Sequence, residues 1–429
     1  MQAKFFGSLK GFDAGDDKGN FPMSDFVFTG ASPDGTRLFF PNGSTSGPVD
    51  VSIVIPAMNE RVTIGEFVDW CKAGLKKAGA SGQILIIDSS SDETPEIALR
   101  HGAEVLRTPK RGLGRAYIDS IPHIRGKWII MGDADLTYDF REIHEFVEEF
   151  KKGTEFVMGS RFRGSIEAGS MPPLHRYFGT PLTTWILNFF YQSNYSDIHC
   201  GMRGLTRDAL AKIDLHSQSW EYASEMVLKA ARLKLKTAEV PVSFYKDREG
   251  RVSHHRRMGW LSPWIAGWIN LKVMLVYTPD SFLLKPGLIL GVIGFSLSLT
   301  LSFTTFTIGN IAFNLHWMLL GLACATLGYS CLQIGVFACI VHGLRPSISQ
   351  PIEKYLTYNT GMLISGITTA IGLGLDAELV WKYFIYGFRL PEFSKPAIFG
   401  LLLIILGFQT FCFTLLVEMM RRLKAKFRQ

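Results

Sequence analysis

Trp128-Ile129-Ile130-Met131-Gly132-Asp133-Ala134-Asp135 joins a short apolar run to two carboxylates one residue apart. The run has the length and bulk of a buried strand. Two acids so spaced on an extended segment can hold Mg2+ or Mn2+ while the ion bridges a diphosphate, because hard cations prefer carboxylate and phosphate oxygens and keep several waters. An Asp-x-Asp triplet also arises by chance on acidic turns, and Asp133 alone is compatible with capping one. Position decides between the two readings, because other polar residues close the apolar runs upstream.

Those runs outline a domain. Val51–Ile55 reads as a buried strand, closed by Asn59 and Glu60. Ile64, Phe67, Val68, Cys71 and Leu75 then recur at helical spacing. Gln83–Ile87 is a second strand closed by Asp88, Glu96–His101 a short helix, and Ala103–Leu106 a third strand. A helix from about Gly114 leads to Trp128–Met131, and another runs from Phe140 to Lys151. Strands alternating with helices predict an α/β domain with a mostly parallel sheet covered on both faces. In such sheets ligands bind beyond the carboxyl ends of the strands, where Asn59, Glu60, Asp88, Asp133 and Asp135 all fall.

The last third of the chain differs in kind. Pro286–Ile308, His316–Val341, Leu356–Leu375 and Pro396–Val417 contain no Asp, Glu, Lys or Arg, and each is long enough to cross a bilayer core. Basic residues gather beside these runs and give the chain a net charge of +7. That placement favours lipid and phosphate partners and argues against nucleic acid. His342, Arg345 and Lys354 follow the second run, and Arg421, Arg422, Lys424, Lys426 and Arg428 follow the fourth. Gly309–Leu315 is uncharged, and Asp376–Lys395 carries matched charges. The positive-inside rule then predicts an integral, multi-pass membrane protein with its α/β half and C-terminus in the cytoplasm. The N-terminus shows no basic patch before an apolar core, so no cleavable signal is expected. Four of the six cysteines lie inside the apolar runs and no Cys-x-x-Cys occurs, so they read as small buried hydrophobes rather than zinc or disulfide partners.

The expected domains are an N-terminal extension over 1–50, loosely ordered or draped on its neighbour, and a catalytic domain over 51–257. An interfacial amphipathic helix and linker occupy 258–285, and a four-span domain with a basic tail occupies 286–429. The interfacial helix rests on Trp260, Trp264 and Trp268, which recur every fourth residue after the basic stretch Arg248–Arg257. Thr183–Tyr191, aromatic but too short to span, reads equally as a core helix or one lying on a membrane.

Two further motifs carry alternatives. Asp88-Ser89-Ser90-Ser91-Asp92-Glu93-Thr94 reads as a helix-capping turn before Pro95, as a nucleotide contact through Asp88, or as both. Arg111-Gly112-Leu113-Gly114-Arg115-Ala116-Tyr117 is half of a dinucleotide fingerprint. Tyr117 replaces its third glycine and it follows the third strand rather than the first, so that reading is set aside.

Together, Pro56-Ala57-Met58-Asn59-Glu60, the Asp88 turn, Gly112–Ile118, Asp133–Leu136, Gly159–Phe162, Cys200–Arg203, Glu225-Met226 and Glu239–Val242 occur in order. This ensemble, over roughly Val51 to Tyr277, resembles family-2 glycosyltransferases of the glycosyltransferase-A fold, specifically the dolichyl- or polyprenyl-phosphate sugar synthases. The resemblance implies a nucleotide pocket lined by Pro56, Ala57, Asn59, Glu60, Asp88, Gly112, Gly114 and Asp133. It implies a metal on Asp133 and Asp135, and an acceptor phosphate met by Arg161, Arg203, Arg248, Arg251 and Ser253, with Arg161 also catalytic. Met58, Ser89 and Thr137 depart from the family pattern, which has an aromatic, an Asp and a metal-contacting Gln at those places. The implied reaction moves one hexose, with inversion, from a nucleotide sugar of the GDP-mannose or UDP-glucose type to polyprenyl or dolichyl phosphate. A processive polysaccharide synthase is the competing enzyme, but its Gln-x-x-Arg-Trp signature is absent; a catalytically dead membrane scaffold is the other alternative. A homo-oligomer is compatible with all three.

Overall fold

The computed structural model describes residues 26–29, 35–41, 47–248, 279–341, 346–388 and 394–426. The chain divides into two compact units, Met1–Asn270 and Leu271–Gln429.

In the first unit, β1 (Phe26–Thr29), β2 (Arg37–Pro41), β3 (Val49–Ala57), β4 (Gly82–Asp88), β5 (Glu104–Arg107), β6 (Gly126–Met131), β7 (Phe156–Ile166), β8 (Arg203–Thr206) and β9 (Thr237–Phe244) form one sheet. Their spatial order is β1-β2-β5-β4-β3-β6-β8-β7-β9. The sheet is mostly parallel; among the described strands, β2 and β8 run against the others. Helices α1 (Ile64–Ala78), α2 (Thr94–Arg100), α3 (Leu113–Ser120), α4 (His144–Lys151), α5 (Thr180–Tyr191), α6 (Arg207–Ile213) and α7 (Tyr222–Arg232) accompany it. This is the expected α/β architecture.

Central strands have no face left for water. Ile53, Val54 and Ile55 of β3 and Ile129 and Ile130 of β6 are fully buried, as continuous apolar runs in a doubly covered sheet require. The polar exception, Ser52, is satisfied on both sides: its hydroxyl donates to Gln83 Oε1 at 2.6 Å and accepts from the Gly126 amide at 2.8 Å. Helix α1 buries Ile64, Phe67, Val68, Cys71 and Leu75, the residues whose spacing predicts it, and ends at Gly79 in the left-handed conformation (φ +59°).

Residues 1–50 are not all extension. Within them β1 and β2 pair antiparallel, and β2 pairs with β5, Phe39 opposite Val105. Their alternation was obscured by the surrounding Gly, Asp and Ser.

Among its described residues the second unit holds four helices long and apolar enough to cross a membrane: Asp280–Phe303, Leu315–Val341, Tyr358–Ile385 and Lys395–Leu423. Several boundaries differ from expectation: the first helix begins at Asp280 and the fourth runs on to Leu423, and two further ends have visible causes. The first helix stops at Phe303, because Phe306–Ile308 and Ile311–Phe313 pair as a hairpin around Gly309 (φ +56°). The third continues to Ile385, so the matched charges lie partly on helix, where Glu378 and Lys382 pair one turn apart at 2.6 Å. The predicted Trp260–Trp268 helix lies outside the described residues.

Inside a bilayer, helices gain little from apolar contact and associate where small residues let backbones approach. A Cβ on Gly294 would lie 2.3 Å from the Ala325 nitrogen, and one on Gly328 2.2 Å from the Gly291 nitrogen. The first and second helices therefore meet almost backbone to backbone. Gly328→Val should force them apart and, at about 1–3 kcal/mol for an overpacked contact, lower the melting temperature of the detergent-purified protein by several degrees; an unchanged melt would contradict this packing.

Candidate active site

Strand β6 delivers the two carboxylates. Gly132 follows it, and the Gly132 carbonyl accepts a hydrogen bond from the Tyr117 hydroxyl at 3.1 Å. The chain then turns tightly, with Leu136 at φ +61°. Asp135 is oriented by Thr137, whose amide and hydroxyl both donate to Asp135 Oδ1, at 3.0 and 2.5 Å. On the other side, Tyr138 accepts at its hydroxyl oxygen from the Gly201 amide at 2.8 Å. A Cβ on Gly201 would fall 2.6 Å from Asp133 Oδ2. Tyr117 packs against Tyr222, the rings tilted by 35° with centroids 4.8 Å apart. Burial pushes the hydroxyls of Tyr117, Tyr138 and Tyr222 upward in pKa, so these rings stay neutral beside the acids.

Asp133 and Asp135 are partly exposed, and no group of three or more His, Cys, Asp or Glu side chains gathers into a metal cage among the described residues. Two carboxylates open to solvent are a donor set that fits Mg2+ or Mn2+ completed by phosphate oxygens and water.

Beside them, the ends of β3 and β4 are laced together. Pro56 and Ala57 close β3, and the Ala57 carbonyl accepts from the Ser89 amide. Asn59, at φ +59°, donates its amide to Ser90 Oγ at 2.8 Å and accepts from the Ser91 amide at 2.9 Å. Glu60 is buried; its amide donates to Thr94 Oγ1 and its carboxylate accepts from the Thr63 hydroxyl. Asp88 is fully buried, its Oδ2 taken by the Ser90 amide and the Arg107 guanidinium, while Oδ1 has no partner. Burial raises its pKa, and Arg107 opposes that rise. Arg107 escaped the sequence reading although β5 places it directly opposite Asp88; the signal was a cation at the end of the neighbouring strand. Ser89, where the family has a second acid, donates to the Thr108 carbonyl.

Other expected site residues have different surroundings. Backbone alone already demands glycine at 112 and 114: Cβ atoms there would lie 2.3 Å from the Gln218 carbonyl oxygen and 2.1 Å from that of Ser217. Glu225 holds that 217–219 segment through the amides of His216 and Ser217. Arg203 does not face an acceptor. It is 1% exposed, and its guanidinium donates to the carbonyls of Cys200 and Ala223. Arg161, 9% exposed, is bound by two hydrogen bonds to Asp197, at 2.6 and 2.9 Å. It therefore fixes the 195–201 loop beside Asp133 instead of offering a free charge. His199 on that loop is half-buried, and loss of solvent around its ring pushes its pKa down to about 4, while its Nε2 pairs with Thr183 Oγ1 at 2.7 Å. Arg248 is exposed and pairs with Glu66 of α1 at 2.7 Å. Arg251 and Ser253 lie outside the described residues. Arg248, Lys246, Tyr245, Arg141 and Trp70 line a cleft of about 840 Å3 that reaches Leu136, the residue after Asp135.

Residues 52–214 match glycosyl transferase family 2, and 337–421 match the family's C-terminal transmembrane region. The low-salt glycan biosynthesis hexosyltransferase Agl6 of Haloferax volcanii is 33% identical over 380 residues, covering 87% of this chain and 90% of that one. This chain belongs to glycosyltransferase family 2. The transferase is thus an integral membrane enzyme with a glycosyltransferase-A-like catalytic unit. It is also 28% identical to the glycosyltransferase AglJ of the same organism, over 47% of this chain and 65% of that one. Among solved structures, a complex of Mycobacterium tuberculosis glucosyl-3-phosphoglycerate synthase with Mn2+, UDP and glucosyl-3-phosphoglycerate is 18% identical, covers 54% of the transferase and 80% of that chain, and has a TM-score of 0.42.

Two outcomes test this geometry. Gly201→Ala should displace the Asp133 carboxylate and lower kcat by roughly 100-fold, the cost of a misplacement near 1 Å, while the melting temperature changes little; wild-type kcat would break the link between that loop and Asp133. For His199, the unfolded chain takes up a proton near pH 6.5 that the folded protein refuses until about pH 4. Stability should fall as pH drops through that window, by at most about 1.4 kcal/mol per pH unit, and His199→Gln should flatten the slope in melts recorded between pH 7 and 4.

Proposed function

We propose that the transferase moves a single hexose from a nucleotide sugar, GDP-mannose or UDP-glucose in type, to polyprenyl or dolichyl phosphate on the cytoplasmic face. The product would be a lipid-linked sugar donor for glycan biosynthesis. The observation that carries the reading is an open pair of carboxylates, Asp133 and Asp135, at a strand end beside the buried, half-satisfied Asp88, in a chain with four apolar helices. The hexosyltransferase name of its Haloferax relative supports it.

Asp88, held by the Ser90 amide and Arg107, fixes the turn at the end of β4, and that turn would border the nucleotide pocket. Asn59 and Glu60 fix the loop over that pocket. Asp133 and Asp135 would hold Mg2+ or Mn2+, which when bound neutralises charge on the departing nucleoside diphosphate. A lipid phosphate with its second pKa near ~6 is largely dianionic at neutral pH, so one of its oxygens can attack the anomeric carbon without a general base. The new C–O bond forms as the bond to the diphosphate breaks, and the anomeric configuration inverts. Because Arg161 and Arg203 are engaged within the protein, the cations for the acceptor are assigned to the basic run that begins at Arg248. The excess of Lys and Arg after the second and fourth spans supports a cytoplasmic catalytic unit.

The protein should be purified in detergent and offered a panel of labelled nucleotide sugars with polyprenyl phosphate. One hexose per lipid phosphate is expected, abolished by EDTA and restored by Mg2+ or Mn2+. Asp135→Ala should lose at least about 100-fold in turnover, as the loss of several kcal/mol of charge stabilisation implies. A polymeric product, no transfer to lipid phosphate, or full activity of Asp135→Ala in chelator would each overturn the proposal.

A further inference from the structure

Helix α5 has two faces that differ completely. Thr180, Thr184 and Leu187 are buried, and at about 100° per residue they fall on one side. Phe178, in the turn that runs into α5, with Leu182, Trp185 and Phe189 occupies the opposite side, and Phe178, Trp185 and Phe189 are 58%, 62% and 67% exposed. Trp185 and Phe189 stack on one another with centroids 5.7 Å apart. Tyr177, 74% exposed, extends the patch. Leu174, 47% exposed, lies on the same helical run, whereas other exposed apolar residues of this unit, such as Val62, Ile121 and Leu233, lie on separate elements. Isolated residues of that kind need no explanation, whereas a contiguous aromatic face does.

Composition identifies what covers it. From Met171 to Asn194 the chain has no Asp or Glu, and its one Lys or Arg is Arg176, whose guanidinium sits 5.6 Å from the Tyr177 ring centroid. Tryptophan, tyrosine and phenylalanine around a cation suit the headgroup layer of a membrane, where rings are half buried and a positive charge meets anionic lipid. The chain carries four helices long and apolar enough to cross a membrane among its described residues, so a bilayer is its own surroundings.

We propose that the Phe178–Leu182–Trp185–Phe189 face of α5 lies in the headgroup layer of an anionic bilayer and fixes the depth of the catalytic unit at the membrane surface. This docking does not depend on the identity of the acceptor. Its effect on catalysis passes through the 195–201 loop. The α5 residue Asn188 bonds the Tyr195 amide and carbonyl, Thr183 bonds His199, and Gly201 rests against Asp133. A helix seated in lipid therefore steadies the loop that borders the metal-binding carboxylate.

Photocrosslinking of the full-length protein in nanodiscs containing phosphatidylglycerol tests the proposal. Phe189→p-benzoylphenylalanine exchanges one exposed ring for another, and Leu233→p-benzoylphenylalanine serves as the control on an unrelated exposed site. The expected result is lipid adducts at position 189 several times more abundant than at 233. Adducts no more abundant than the control, or crosslinks from 189 chiefly to a second copy of the chain, would overturn it. Neither outcome bears on which acceptor receives the sugar, so failure here and failure of the transfer assay remain distinguishable.

Discussion

The placement of two carboxylates one residue apart, at the end of a strand whose Ile129 and Ile130 are fully buried, is the constraint around which the catalytic unit is arranged. Asp133 and Asp135 are both partly exposed at the strand end, and the groups that hold them leave that side open. The protein meets this with neutral dipoles. Thr137 locks one carboxylate, and Tyr117 fixes the carbonyl just before the other. Burial keeps the surrounding phenols protonated, hence uncharged. Strand β6 supplies the rigidity, since its Ile129 and Ile130 have no exposed surface through which to shift.

Around that centre the protein spends its charges on holding loops. Arg161 clasps Asp197, Glu239 binds Ser196 and pairs with Arg163, and Glu225 pairs with Lys229 while gathering two amides. Buried pairs of this kind yield little net stability, but removing one partner leaves an uncompensated charge and is costly. They define where loops sit more than how firmly the domain folds. An arginine in a family motif can therefore be indispensable without touching substrate.

The parallel centre of the fold was legible because burial on both faces leaves an unambiguous trace: β3, β4 and β6 read as apolar runs, and α1 as a single stripe. The strand-end positions of Asp88, Asp133 and Asp135 were legible because a polar residue closes each apolar run. What escaped notice was whatever depends on strands meeting from distant parts of the sequence. Arg107 reaches Asp88 only through register, β2 joins β5 across more than sixty residues, and Gly201 reaches Asp133 from beyond the interposed strand β7. The arginines misled for the opposite reason. A guanidinium looks the same in a sequence whether it faces a phosphate or, like Arg203, two backbone carbonyls. The glycines of the Gly112–Gly114 segment were likewise ambiguous, since close approach of a backbone and of a ligand demand the same missing Cβ.

The pairing of β2 with β5 has a consequence for handling the protein. Strand β5 carries Val105 and Leu106, both fully buried, and without β1 and β2 its outer row of amides and carbonyls would become a free edge. Free, apolar edges recruit strands from other molecules. A soluble fragment cut at Val51, where the recognisable motifs begin, would carry every candidate catalytic residue and still be prone to assemble edge to edge. Beginning upstream of Phe26 retains the two strands that close the sheet.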